Sequence, residues 1–352
     1  MRSRWQRTDY RRDGSGSDRR HREGCQLSFV ACRPAANMRV VIVGLGVQGR
    51  KRYESAKADV VATVDPVVDG ASYRNLEAVP TSNYDAVLLC TPDADKPALI
   101  RYAVRFSKHV LVEKPLFNAP DFDLISVEAE ALRQSVVVYT AYNHRFEPNI
   151  AKVGELLRNG VIGEPYRCSL FYGNGTARLV RESAWRDCGT GVLHDLGSHN
   201  VDIVCEWFSR SVDDYEAALI TKYENRSPDH CTFQATGILP HIQVELSLLS
   251  WRNTFRAEII GSRGSIHIDG LAKWGESTLT LRERVLPSGR PIETIWKVPQ
   301  GDPTWQLEYA HFLKLCRTGA KTDLERDRQI DRALARISAT AVVDARAQGE
   351  TR

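Results

Sequence analysis

Long apolar runs are missing from this sequence. Nowhere do about 18 uninterrupted apolar residues occur, the length that a membrane-spanning helix requires, so no membrane partner is expected. The eight cysteines form no Cys-x-x-Cys pair, and no His/Cys cluster has the spacing of a zinc site, so no metal is expected. Several cysteines, Cys90, Cys205 and Cys316 among them, lie inside apolar stretches and read as small buried hydrophobes in a reduced, cytoplasmic compartment. A strong charge of one sign is also missing once the first 37 residues are set aside. They hold nine arginines against three aspartates and one glutamate, a surplus of +5, so the rest of the chain nets −1 of the total +4. Without a basic field on its body, the chain is not expected to bind nucleic acid.

Residues 1–37 are rich in Arg, Ser and Gly and poor in apolar side chains, and are expected to form a disordered basic tail. Met38 stands directly before the first apolar strand, and translation is expected to begin there, with the upstream residues an extension. The remaining composition, 42% hydrophobic and 26% charged over a chain of 352 residues, suits two globular domains.

From Met38 to about residue 147, short β-branched runs (Val40–Val43, Val60–Val64, Ala86–Cys90, Val110–Val112, Val136–Tyr139) alternate with helical stretches. Apolar strands separated by helices predict a parallel sheet covered on both faces, a doubly wound α/β domain. From 148 to 302 a helix is followed by alternating strands punctuated by turns such as Gly261-Ser-Arg-Gly264, which predicts a second, α+β domain around one large, mostly antiparallel sheet. Residues 303–352 read as helices that pack back on the body.

Three segments carry chemistry. In Val40-Val-Ile-Val-Gly44-Leu-Gly46-Val47-Gln48-Gly49 a strand breaks into glycines at dinucleotide-binding spacing. Gly44 permits the tight turn, Gly46 the approach of a pyrophosphate and Gly49 close packing of the next helix, whose N-terminus faces the phosphates. Asp65, at the end of the second strand, is placed to bind the adenosine ribose; its charge, with no Arg or Lys in Pro66-Val-Val-Asp69, favours NAD over NADP. The alternative for Asp65 is a turn-forming acid. Thr91 and Pro92, after the third strand, are expected to line the cofactor cleft.

The second segment is Glu113-Lys114-Pro115 at the end of another strand, where the lysine can polarise a reacting oxygen; a solvated strand-end pair is the alternative. The third follows Gly189-Thr-Gly191, which is expected to open a helix with Val192, Asp195, His199 and Asp202 on one stripe. Imidazole titrates near neutrality, so His199 is suited to accept a hydroxyl proton; a helix-end acid and a packed histidine are the alternative.

Together these segments, with Tyr142-Asn143-His-Arg145-Phe146 and Trp185-Arg186, resemble the glucose-fructose oxidoreductase and inositol dehydrogenase family from Met38 to near the C-terminus. The resemblance implies a dehydrogenase acting on an alcohol carbon of a sugar, cyclitol or sugar nucleotide. His199 would be the general base, Lys114 would assist at the substrate oxygen and Asp195 would hold a hydroxyl. It further implies that Glu113 borders the cofactor, and that a homodimer or homotetramer forms through the second sheet. Tyr142, Asn143 and Arg145 would contact nicotinamide or substrate, with packing or hinge roles as the alternative. Trp185 and Arg186 would wall the substrate pocket, with a surface ion pair as the alternative for Arg186. The chain departs from the family in Lys96, where a histidine is frequent, and in Thr190, where a glycine is. Elimination or hydrolysis of a glycoside with tightly held NAD, and a non-enzymatic NAD sensor, stand as rival functions.

Overall fold

A computed structural model describes residues 9–10, 38–119, 121–183, 186–209 and 214–340. The expectation of a disordered arm falls mostly outside these residues, but Asp9–Tyr10 pair antiparallel with the edge of the larger sheet, opposite Thr294 and Glu293. The chain divides into two compact units.

The first unit takes in 38–146 and 303–335. Five strands, β2 (Val40–Val43), β3 (Val60–Val64), β4 (Ala86–Leu89), β5 (His109–Glu113) and β6 (Val138–Ala141), form a wholly parallel sheet in the order β3-β2-β4-β5-β6. All four residues of β2 and of β4 are buried, as strands covered on both faces must be. On one face, Val41, Val87, Leu89, Val110 and Val112 meet Ile100 and Val104 of helix α2 (Lys96–Arg105) and Leu124 and Val127 of α3 (Leu124–Arg133). On the other, Val40, Ile42, Leu88 and Leu111 meet Ala56, the last residue of α1 (Val47–Ala56), and Tyr309, Phe312 and Leu313 of α7 (Thr304–Thr318). Each such side chain taken fully from water contributes about 1.5–3 kcal/mol. The closing helices therefore supply one covering layer of the first sheet. Thr322, in the break after α7, seals the sheet's edge, accepting from Val138 N at 2.9 Å and donating to Val136 O at 3.2 Å.

A buried ion cluster ties these layers. Arg52 of α1 has no exposed surface; its Nε donates to Glu113 Oε1 at 2.7 Å, its Nη2 lies 2.6 Å from Glu308 Oε2 of α7, and its guanidinium stacks 4.4 Å from the Trp305 ring centroid.

The second unit holds 147–302. Its sheet runs β1 (Asp9–Tyr10), β14 (Gly289–Val298), β13 (Ser277–Val285), β12 (Gly264–Asp269), β11 (Thr254–Gly261), β7 (Pro165–Gly173), β10 (His241–Ser247), β9 (His230–Ala235), β8 (Tyr215–Thr221). Every pairing is antiparallel except β7 with β10, which are parallel in register Cys168↔Ile242 to Gly173↔Ser247. Along β7, Cys168, Leu170 and Tyr172 are buried while Arg167, Ser169 and Phe171 face the other way. Helices α4 (Pro148–Arg158) and α6 (Ser198–Phe208) lie together, joined where Trp207 Nε1 donates to Ile150 O at 3.0 Å. Among the described residues no helix is long and apolar enough to cross a membrane.

Strand β8 is absent from the sequence reading. Its Tyr215-Glu-Ala-Ala-Leu run consists largely of good helix formers, and it is held extended only by pairing with β9. Between β8 and β9 the chain turns around fully buried Asp229, whose carboxylate accepts from Tyr223 N (2.9 Å), Glu224 N (2.6 Å) and Asn225 N (3.0 Å).

Two outcomes follow. Asp229→Ala leaves three backbone donors without their charged acceptor and should lower the unfolding free energy by about 2–4 kcal/mol, read by urea denaturation; a loss under about 0.5 kcal/mol, the scale of an ordinary surface change, would contradict this accounting. The second outcome concerns pH. Burial pushes the Glu308 carboxyl up from 4.5 to about 7, against the pull of Arg52. A carboxyl raised in the folded state contributes stability that is complete below its unfolded value and lost as pH rises through the folded one. The native protein should thus lose stability between pH 4.5 and about 7 relative to Glu308→Gln. Parallel stability curves for the two proteins would refute the assignment.

Candidate functional site

In the first unit every strand points the same way, so the residues that follow the strands share one edge: Gly44, Asp65, Thr91, Lys114 and Tyr142. The sheet grows in opposite directions on either side of the β2/β4 boundary, the switch point at which open α/β sheets take ligands. The glycines are required there. Gly44 has φ +89, and a Cβ on it would lie 2.6 Å from Cys90 O; a Cβ on Gly49 would lie 1.8 Å from Gly44 O. Gly46, which caps α1 without any side-chain bond, has nothing within 4 Å of its Cβ position, so the helix N-terminus opens onto free space. Val47 is 73% exposed and Gln48 is exposed beside it. Thr91 Oγ1 is buried without a hydrogen-bond partner, an acceptor and donor at the same edge. This cradle fits a dinucleotide held by the backbone of 44–49 with Asp65, Thr91 and Pro92 around it.

Asp65 sits at the strand end as expected, and it also clamps the turn. Oδ2 accepts from Leu45 N at 2.8 Å, and Oδ1 from Val67 N and Val68 N at 2.9 and 2.8 Å. Burial pushes its carboxyl up, but these N–H groups outweigh that and hold it below the usual carboxylate range. Sequence reading missed Arg74, which comes from beyond Pro66–Asp69: Tyr73 bridges back to Val64, and Arg74 then donates to Val68 O at 3.1 Å and pairs with Asp69 at 3.4 Å. An arginine therefore does lie on this turn.

Glu113 is turned to Arg52, the buried arginine described above, and so acts in an ion pair rather than facing open space. Lys114 follows it at the sheet edge. Lys96, 3% exposed, donates to Pro115 O at 2.8 Å and pairs with Asp93 at 2.5 Å. Tyr142 is 1% exposed, with its hydroxyl 3.4 Å from Asp327 Oδ1, and the Asn143 amide donates to Thr304 Oγ1 at 3.0 Å. Both hydrogen bonds run to residues of the closing segment beyond 303. Arg145 stacks its guanidinium 5.2 Å from the Tyr142 ring centroid.

In the second unit, Gly191 (φ +50) admits a close crossing: a Cβ there would lie 2.1 Å from Pro228 O, which accepts from Val192 N at 2.8 Å. The helix expected after it is present from Val192 on. Leu193–Gly197 wind as a π-helical turn, and Ser198–Phe208 are α-helical. Asp195 keeps 38% of its side chain exposed and pairs with Arg186 at 3.2 Å, so Arg186 does form an ion pair, and its partner is a site residue. His199 is 7% exposed, with its ring centroid 6.5 Å from that of Tyr172. Burial, and then the charge of Asp195, pushes the Tyr172 hydroxyl up. Lys273 completes the group: its Nζ is 3.5 Å from Tyr172 Oη and 4.4 Å from the Trp274 ring centroid. Tyr172, Lys273 and Trp274 escaped sequence reading because nothing local marks them; only sheet pairing brings β7 and the turn after β12 to the same helix. Trp185 lies outside the described residues. A groove of about 550 Å³ lies on the opposite face of this sheet, lined by Arg167, Glu258, His267 and others.

Comparison with known proteins agrees with both units. Residues 38–142 match the oxidoreductase family with an NAD-binding Rossmann fold, and residues 150–267 match the GFO/IDH/MocA C-terminal domain. Inositol 2-dehydrogenase 1 of Saccharopolyspora erythraea is 32% identical over 246 residues, 66% of this chain and 67% of that protein. Myo-inositol 2-dehydrogenase of Thermotoga maritima is 35% identical over 91 residues, an alignment spanning 26% of this chain and 27% of that protein. A levoglucosan dehydrogenase solved with NADH and levoglucosan has the same fold, with a TM-score of 0.73 at 18% identity over 87% of this chain and 97% of its own. With its parallel NAD-binding sheet followed by a mixed, mostly antiparallel one, the chain belongs to the Gfo/Idh/MocA family of oxidoreductases.

Proposed function

We propose that this chain is an NAD-dependent dehydrogenase that moves a hydride between nicotinamide and a secondary alcohol or ketone of a sugar, cyclitol or sugar nucleotide. The observation that carries this reading is Lys114, an amine placed after β5 on the sheet edge that also bears the glycine turn. Its relatives named inositol 2-dehydrogenase and the levoglucosan dehydrogenase support the substrate class. When bound, the nicotinamide supplies the hydride acceptor. His199 takes the hydroxyl proton as hydride leaves the carbon, Asp195 holds a substrate hydroxyl, and Lys114 donates a hydrogen bond to the reacting oxygen. Ketone reduction runs through the same groups in reverse. Arg186, paired with Asp195, borders the pocket. Asp65 disfavours a 2′-phosphate and so selects NAD, with Arg74 on the same turn as a charge working against it. The outward face of the second sheet, with its polar groove, is the surface for a homodimer or homotetramer.

The test is turnover with NAD across a panel of cyclitols, sugars and sugar nucleotides. On the substrate found, Lys114→Ala and His199→Ala should each lower kcat by about 10²-fold or more while NADH binding, read by fluorescence titration, stays intact. Normal kcat in both variants would refute these roles. Stoichiometric release of free NADH separates net oxidation from elimination or hydrolysis, in which the cofactor is regenerated in each cycle.

A further inference from the structure

Lys114 is bracketed by two buried cations. On its upstream side Arg52, with no exposed surface, donates to the Glu113 carboxylate at 2.7 Å. On its downstream side Lys96, 3% exposed, donates to the Pro115 carbonyl at 2.8 Å and is held in turn by Asp93. Burial pushes the Lys96 amine down, and Asp93 opposes that. Neither cation is needed to complete the sheet, because β5 is paired with β4 on one side and β6 on the other. Burying charge is costly wherever simple apolar packing would do, so two such groups on either flank of one residue call for a role at that residue.

We propose that Arg52 and Lys96 are positioning residues that fix the backbone on both sides of Lys114 and so set the direction of its amine. A lysine carries its charge on a flexible four-carbon stem, so the direction of its amine depends on where the fold sets its Cα. Arg52 fixes that point through the preceding side chain and Lys96 through the following carbonyl. The planar fork of Arg52 reaches Glu113 and Glu308 together. A lysine, being a single point charge, cannot reproduce both contacts. The proposal rests on the reading of Lys114 as the amine that acts at the substrate oxygen.

The experiment uses the full chain with Arg52→Lys and Lys96→Met, so that one variant remains if the other fails to fold. Lys114 reactivity is measured by competitive acetylation with acetic anhydride over a pH series, read by mass spectrometry against Lys297, a 63% exposed amine of the other unit. The expected result is an altered Lys114 labelling profile in both variants, with Lys297 and the NADH titration unchanged. With myo-inositol or levoglucosan as probe substrate, kcat should fall by up to about 10²-fold at unchanged KM for NAD, the size of effect that a displacement of about 1 Å produces. In a Lys114→Ala background neither change should cost anything further, because a residue that acts through Lys114 has nothing left to position. A native Lys114 profile in both variants, or losses that add fully to that of Lys114→Ala, overturns the proposal. If Lys114→Ala itself turns over normally, the dehydrogenase roles fail instead, and the labelling profiles still decide whether the bracket exists.

Discussion

A guanidinium with no exposed surface has to find its compensation inside the protein, and the arrangement of the first unit follows from where Arg52 finds it. Uncompensated, a buried charge costs several kcal/mol; here it meets two carboxylates and an indole ring. Each partner comes from a different part of the chain: Glu113 from the strand that ends in the lysine, Glu308 and Trp305 from a helix nearly two hundred residues further on. The helix that opens at the glycine turn is thereby locked to the sheet edge and to the layer that covers the sheet. Burial in this site, with the Glu113 carboxylate adding to it, pushes the Glu308 carboxyl up to about 7 against the pull of Arg52.

The parts legible in the sequence are those whose physics is local. Gly44 and Gly49 answer to backbone clashes within a few residues and with the neighbouring strand, and the four-residue apolar runs of β2 and β4 announce strands buried on both faces. The strand-turn-helix and the lysine at the end of β5 could therefore be placed from residue types alone. What stayed hidden depends on distant partners. The pairing of Glu113 with Arg52 is invisible near Glu113 in the sequence, and Arg74 is brought back onto the Asp65 turn by a bridge between Tyr73 and Val64. Strand β8 looks helical by composition and is overruled by its pairing with β9.

The helix bearing Asp195 and His199 shows the same division from the other side. Gly191 was legible as a helix opener, but neither the π turn after it nor its close crossing of Pro228 has a local mark in the sequence. That crossing is itself held in place by carboxylates. Asp229 binds three backbone N–H groups of the loop that carries Pro228, and Asp187 accepts from Arg226 N at 3.2 Å and Ser227 N at 2.8 Å of the same loop. Glu147 does likewise at the start of α4, accepting from Asn149 N, Ile150 N and Ala272 N.

Set against these acids, Asp195 is differently employed. Asp229, Asp187 and Glu147 are all less than 9% exposed and committed to backbone donors, whereas Asp195 keeps over a third of its side chain in solvent and meets a side chain, Arg186, that is itself 30% exposed. A carboxylate fixed by several backbone N–H groups is held in one orientation and can meet a ligand only with the lone pairs it has left, as at Asp65. An exposed ion pair is worth about 0–1 kcal/mol and opens at little cost. The buried acids Asp229, Asp187 and Glu147 thus hold loops rigid, while Asp195, whose charge bears on the Tyr172 hydroxyl, stays partly open to solvent.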